Sequence, residues 1–158
     1  MVLKRIDTEP RGSGPILLVE PADNIGGGTP GDGTGLLSPL LDSGRKNIIA
    51  ILNDPKAASQ CHTLKVGDQV SLLIGAKLDN RHGAPIKFDG TIRHLSDGQS
   101  DQENKNSHPA SMVGIHIDMG LYARLRNEQV TMLLTSRKTP PMTPASLHSQ
   151  GIPPLLNP

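Results

Sequence analysis

The side chains best placed to do chemistry lie between residues 20 and 37. There Asp23, Asn24 and Asp32 stand among six glycines: Gly26, Gly27, Gly28, Gly31, Gly33 and Gly35. A small carboxylate or amide beside glycine backbone is a recognition pattern. Glycine lets the chain adopt positive φ or approach a ligand closely, and successive free N–H groups then suit a carboxylate, a phosphate or an oxyanion. The elements expected to position this loop flank it directly. Residues 15–19 are an apolar run that reads as a buried strand. Leu36, Leu37, Leu40 and Leu41 fall on one face of a helix that follows.

Several readings of the loop compete. Gly26-x-Gly28-x-x-Gly31 matches a dinucleotide fingerprint, with Asp54 after the next strand-like run. That fingerprint needs its first glycine at the strand end, and here Pro21 to Ile25 intervene and Pro30 sits where its helix should run. Gly28 to Gly33-Thr34 has the outline of a phosphate loop without the lysine that reaches the phosphates. In a purely structural reading the glycines make a tight crossing and Asp32 caps the helix through its carboxylate. The structural reading is the better one for Asp32. For Asp23 and Asn24, at the carboxyl end of a strand, binding and structure stay equally open.

Elsewhere the residues argue against a self-contained catalytic centre. The six histidines form no close pair. His116-x-Asp118 on one strand face offers two metal ligands about 7 Å apart and no third nearby. No nucleophile elbow is present. Cys61 recurs with Ala57, Ala58 and Leu64 at helical spacing, which places it in a core, and no neighbouring charge pattern lowers its thiol pKa. Arg93, Arg124, Arg126 and Arg137 could clamp a substrate carboxylate, but each reads more simply as a solvated strand position. No catalytic residue and no metal ligand is assigned to the chain.

The framework reads as α/β. Residues 47–52 form a second strand, apolar throughout. Asp54-Pro55 opens a helix to about Leu64, with Asp54 as N-cap and Pro55 in the first position. Pro39 is an obstacle to a first helix running from residues 32–34 to Gly44, since an interior proline costs about 3 kcal/mol. Further strands follow at residues 69–76 and 86–95, the latter with Gly90 as a possible bulge. A polar connection fills residues 96–111. Strands at 112–118, 122–125 and 129–136 complete the pattern, with Asn127-Glu128 at a turn. The expected fold is thus a mixed sheet: a strand, Gly-rich loop and helix first, then a β-rich, largely antiparallel half. Residues 1–14 read as a flexible N-terminal segment, 15–138 as the domain, and 139–158 as its Pro-rich tail.

Composition narrows the function classes. The chain has 158 residues, an apolar share of 35%, 17 glycines and 14 prolines. Phe88 and Tyr122 are its aromatics, so the core rests on Leu, Ile, Val, Met and Ala. A net charge of +1 gives no basic stripe for nucleic acid. No run of about 18 apolar residues suggests a membrane span, and Met1 to Arg5 lacks a signal-peptide core. A single cysteine leaves no internal disulfide framework. A soluble cytoplasmic protein is expected.

The run from Ala22 to Thr34, Ala-Asp-Asn-Ile-Gly-Gly-Gly-Thr-Pro-Gly-Asp-Gly-Thr, resembles the opening signature of the C-terminal domain of the MlrC family, named for an enzyme that degrades linearised microcystin. The likeness continues in order through Asn53-Asp54-Pro55, Val66-Gly67, Leu73-Ile74-Gly75-Ala76-Lys77 and Gly83-Ala84-Pro85. It extends through Asp118-Met119-Gly120, Leu134-Thr135-Ser136-Arg137 and Gly151-Ile152-Pro153. The family pattern has Pro where this chain has Ile25, and Asp where it has Pro153. The resemblance implies part of a zinc-dependent metallopeptidase, with zinc bound in an upstream domain and no metal in this chain. It implies that the chain alone is inactive, that the upstream domain is its partner, and that a peptide-like substrate is met by Asp23, Asn24, Gly26, Gly27, Gly28 and Asp32. The alternatives are a non-catalytic domain binding an anion or a partner protein, and a dinucleotide-binding module that NAD would stabilise.

Overall fold

The computed structural model describes residues 2–8, 14–78, 81–101, 105–106, 108–139, 148 and 151–152. Most of the Pro-rich tail lies outside these residues. Its centre is a five-stranded mixed sheet. The strands are β1 (Ile48–Asn53), β2 (Gln69–Ile74), β3 (Ile86–Ser96), β6 (Tyr122–Arg126) and β7 (Val130–Thr135). They lie in the order β1-β7-β6-β3-β2. β1 runs parallel to β7, and every other pairing is antiparallel. A second, two-stranded ribbon joins β4 (Gln99–Asp101) to β5 (His116–Asp118). The architecture is the expected strand-rich α/β with a mixed sheet.

Alternation along the strands sorts the core onto the two sheet faces. Leu52, Val130, Met132, Leu134, Ala123, Leu125 and Ile92 face one way and pack with α3 (Pro55–Cys61) and Leu37 of α2 (Leu37–Asp42). Tyr122 and Leu133 face the other way and pack with Ile117, Met119 and Ile152. Asp54 caps α3 by accepting from the Ala57 amide at 3.0 Å, and Pro55 occupies the first turn, as the sequence implied. That helix ends at Cys61, short of Leu64.

The first helix departs from expectation in an instructive way. α2 begins at Leu37, so Pro39 falls in the first turn, where an amide would have no intrahelical partner and its loss is harmless. Asp32 does not cap it; Leu36 stands at that position without a side-chain bond. Gly44 does end the helical segment in the left-handed region, with φ 71°.

Other differences concern exposure and the polar segments. Residues 15–19, expected as a buried strand, belong to neither sheet, with Leu17 85% and Val19 70% exposed. β1, expected to be buried on both faces, is an edge strand, with Ile49 38% exposed. Residues 2–8 form a helix, α1 (Val2–Thr8), whose Asp7 pairs with Arg45 at 2.7 Å. The polar stretch 96–111 contains β4 and the start of α4 (His108–Val113). Consequently the strand expected from residue 112 is reduced to β5. The irregularity in β3 falls between Ile92 and His94 rather than at Gly90. Among the described residues no helix is long and apolar enough to cross a membrane.

Candidate functional site

Three loops meet at the carboxyl ends of β1 and β7, and buried or half-buried aspartates lock them together. Asp23 accepts from the Gly31 amide at 2.8 Å and from the Gly33 amide at 2.6 Å. Gly33 lies so close that a Cβ there would stand 2.8 Å from the Asp23 carboxylate. Burial works against the charge of Asp23, and the Gly31 and Gly33 amides, together with smaller contributions from its polar neighbours, outweigh it, so the carboxyl titrates below its ordinary value.

Asp32 faces inward, only 3% exposed. Its carboxylate receives the amides of Lys77 at 2.8 Å and Leu78 at 3.2 Å, and its carbonyl receives Ala76 at 2.7 Å. The Gly-rich loop is therefore stitched to the turn after β2, which explains why Ala76 holds a positive φ of 45°. A carboxylate accepting two amides is a strong, charge-assisted anchor. The loop is clasped again on its far side, where the His82 carbonyl accepts from both Thr34 and Gly35 at 2.8 Å. The Thr34 hydroxyl donates to the Ala84 carbonyl at 2.7 Å.

The remaining loop residues form an exposed tip. Asn24 Oδ1 accepts from the Gly26 amide at 3.0 Å, the Gly27 amide donates to the Asn24 carbonyl, and the Gly28 amide donates to the Ile25 carbonyl. Gly26, Gly27 and Gly28 are all solvent-exposed. Thus Asp23, Asn24, Gly26, Gly27, Gly28 and Asp32 do come together in one loop. The amides of Gly26, Gly27, Gly28, Gly31 and Gly33, however, already donate within it. What the tip presents outward is bare glycine backbone and the Asn24 side-chain Nδ2.

Lys77 and His82 belong to this region and were not singled out by residue type. Lys77 Nζ sits 2.7 Å from Asp54, whose carboxylate also receives the Gly75 amide at 2.9 Å.

The other candidates are engaged separately. His116 pairs with Asp101 at 2.6 Å, while Asp118 accepts from the Gly120 amide at 2.8 Å and pairs with Arg137. Arg124 donates to the Gly151 carbonyl; Arg93 and Arg126 are exposed. Cys61 is fully buried, and burial first, the nearby Asp54 charge second, push its thiol up to about 11. Among the described residues no three His, Cys, Asp or Glu side chains are arranged to hold a metal ion. The described residues thus form no set that would hold the zinc the resemblance implies for the whole enzyme.

Comparison with known proteins bears on this loop directly. The family described as MlrC C-terminus matches residues 18–155, a span that includes all three loops. The chain belongs to that family. Microcystinase C of Sphingomonas sp. is 31% identical over 100 residues, which is 63% of this chain and 20% of that protein. A crystal structure named "Putative metallopeptidase from Mesorhizobium sp. BNC1" superposes with a TM-score of 0.68 at 24% identity. The match covers 83% of this chain and 26% of that one, and at this identity it speaks for the fold. This MlrC C-terminal chain therefore spans about a fifth of the curated relative and about a quarter of the solved one.

Proposed function

We propose that this chain is the C-terminal part of a zinc-dependent peptide amide hydrolase, closing the active-site cleft with the Gly-rich loop from Asp23 to Gly33 while an upstream domain holds the metal. Its partner in this reading is that upstream domain, its substrate is peptide-like, and it works in the cytoplasm. The observation that carries the reading is the braced loop with an exposed tip, lying within the MlrC C-terminus match. A preorganised loop contacts substrate without an ordering cost at the moment of binding.

Within the loop the roles divide. Gly26, Gly27 and Gly28 give a surface without side chains against which an extended peptide can lie, and the Asn24 Nδ2 donates to it. Asp23 and Asp32 hold the loop's shape and act on substrate through that shape. The non-catalytic anion-binding alternative is weaker, because the amides that would receive the anion already donate within the loop.

The test is a chimera in which this chain replaces the matching C-terminal segment of Microcystinase C. Peptide hydrolysis should return in the chimera and fall at least about tenfold, a transition-state loss of about 1.4 kcal/mol, when Asn24→Ala is introduced. The chain alone should hydrolyse nothing with zinc supplied. Zinc-dependent hydrolysis by the isolated chain would sink the proposal.

A further inference from the structure

His82, in the connection between β2 and β3, clasps the Gly-rich loop through its backbone. Its carbonyl accepts from the Thr34 and Gly35 amides at 2.8 Å each. Its side chain lies against the same loop. A Cβ at Gly33 would stand 2.8 Å from Asp23 Oδ2 and 3.0 Å from His82 Cβ, so the two side chains are neighbours across that glycine.

The imidazole itself has no structural task. His82 is half-buried, and among the described residues no hydrogen bond or ion pair takes up its ring nitrogens. Half-burial removes part of the water that would satisfy a ring, and groups so placed normally have a partner. Other histidines do. His62 Nε2 lies 3.0 Å from the Tyr122 carbonyl oxygen, and His116 pairs with Asp101 at 2.6 Å. His94 packs edge-on to Tyr122, with ring centroids 6.1 Å apart.

An imidazole carries at least one N–H whether neutral or charged, so the His82 ring can donate in either form. The Asp23 carboxylate beside it, ionised at neutral pH, repels an anion from this spot. A neutral carbonyl is the acceptor that fits.

We propose that His82 touches substrate in the two-domain enzyme, its ring N–H donating to a backbone carbonyl of the bound peptide. The inference rests on the cleft-closing role proposed for the loop. It adds to Asn24 a second side-chain donor, and it gives one residue two separate tasks: the backbone holds the loop and the ring meets the peptide.

The chimera with Microcystinase C tests this through His82→Gln and His82→Leu. Both keep the backbone clasp and most of the side-chain volume, but glutamine retains an N–H donor and leucine does not. His82→Leu should raise KM about tenfold, the worth of one hydrogen bond, with kcat held, the mark of a contact made to substrate and transition state alike. His82→Gln should stay within about threefold of the parent chimera, and both variants should melt at the parent temperature. Unchanged kinetics in His82→Leu, equal losses in the two variants, or a loss that tracks a lowered melting temperature overturns the contact and leaves the cleft-closing role standing. A chimera that is inactive with His82 in place overturns the cleft-closing role, and the contact with it.

Discussion

The Lys77 ammonium meets the Asp54 carboxylate at 2.7 Å, with the Asp54 side chain 1% exposed and that of Lys77 23% exposed. Asp54 at the same time caps α3 through Ala57 and anchors the turn after β2 through Gly75. One buried carboxylate therefore ties a helix start, a glycine corner and a lysine together. Removing the lysine leaves that carboxylate buried without its counter-charge. Lys77→Met should destabilise the chain by about 3 kcal/mol, read as a lower urea midpoint. A change below about 0.5 kcal/mol would show that the two amides alone satisfy Asp54.

Cys61 provides a second test through its reactivity. Its thiol is fully buried, and burial followed by the Asp54 charge pushes it up to about 11. The thiolate is the reactive form, so an aromatic disulfide reagent at about pH 8 should leave the native chain unmodified. Labelling should follow global unfolding and rise steeply with denaturant. Prompt stoichiometric labelling of the native protein would contradict the burial.

Sequence pattern revealed this molecule unevenly, for physical reasons. Asp54-Pro55 was legible because capping and first-turn chemistry are local. β6 and β7 were legible because a short polar turn at Asn127-Glu128 separates two strand-like runs. The run at 15–19 was misleading: apolar content predicts burial but cannot say which molecule provides it. Pro39 was judged an obstacle because the helix start was placed too early, and one turn decides whether a proline is harmful. Within the site, grouping Asp23, Asn24 and the glycines was possible from spacing. That the Gly31 and Gly33 amides answer Asp23, and that Asp32 answers Lys77 and Leu78, depends on contacts up to 46 residues apart. No local pattern encodes those.

The glycines of the loop region should divide sharply on substitution. A Cβ at Gly27 meets nothing within 4 Å, so Gly27→Ala should leave stability within about 0.5 kcal/mol. Gly75 has φ 68°, and a Cβ there would stand 2.5 Å from Thr34 Cγ2 and 2.8 Å from the Asp32 carbonyl oxygen. Left-handed strain and overpacking add up to about 3 kcal/mol for Gly75→Ala. Thermal melts of the two variants side by side check the contrast. Equal melting temperatures would mean that the clasp between Thr34 and the turn after β2 is looser than described.

The acid limb of stability should depend on Asp23. Its carboxyl titrates below the ordinary value of 3.8 in the folded chain, where burial opposes the charge and the Gly31 and Gly33 amides lead the contacts that together outweigh it. A depressed folded pKa means that the unfolded chain takes up its proton first as pH falls. The contribution is therefore fully present above pH 3.8 and is lost as pH drops through the lower folded value. Asp23→Asn retains the shape and one acceptor oxygen but cannot titrate, so its stability should fall less steeply below pH 3.8 than that of the parent chain. Urea unfolding at a series of acid pH values measures both slopes. Identical slopes would mean that the ionised carboxylate is not what holds the two glycine amides. In the proposed two-domain enzyme the same titration would then leave the exposed tip, and turnover, unaffected.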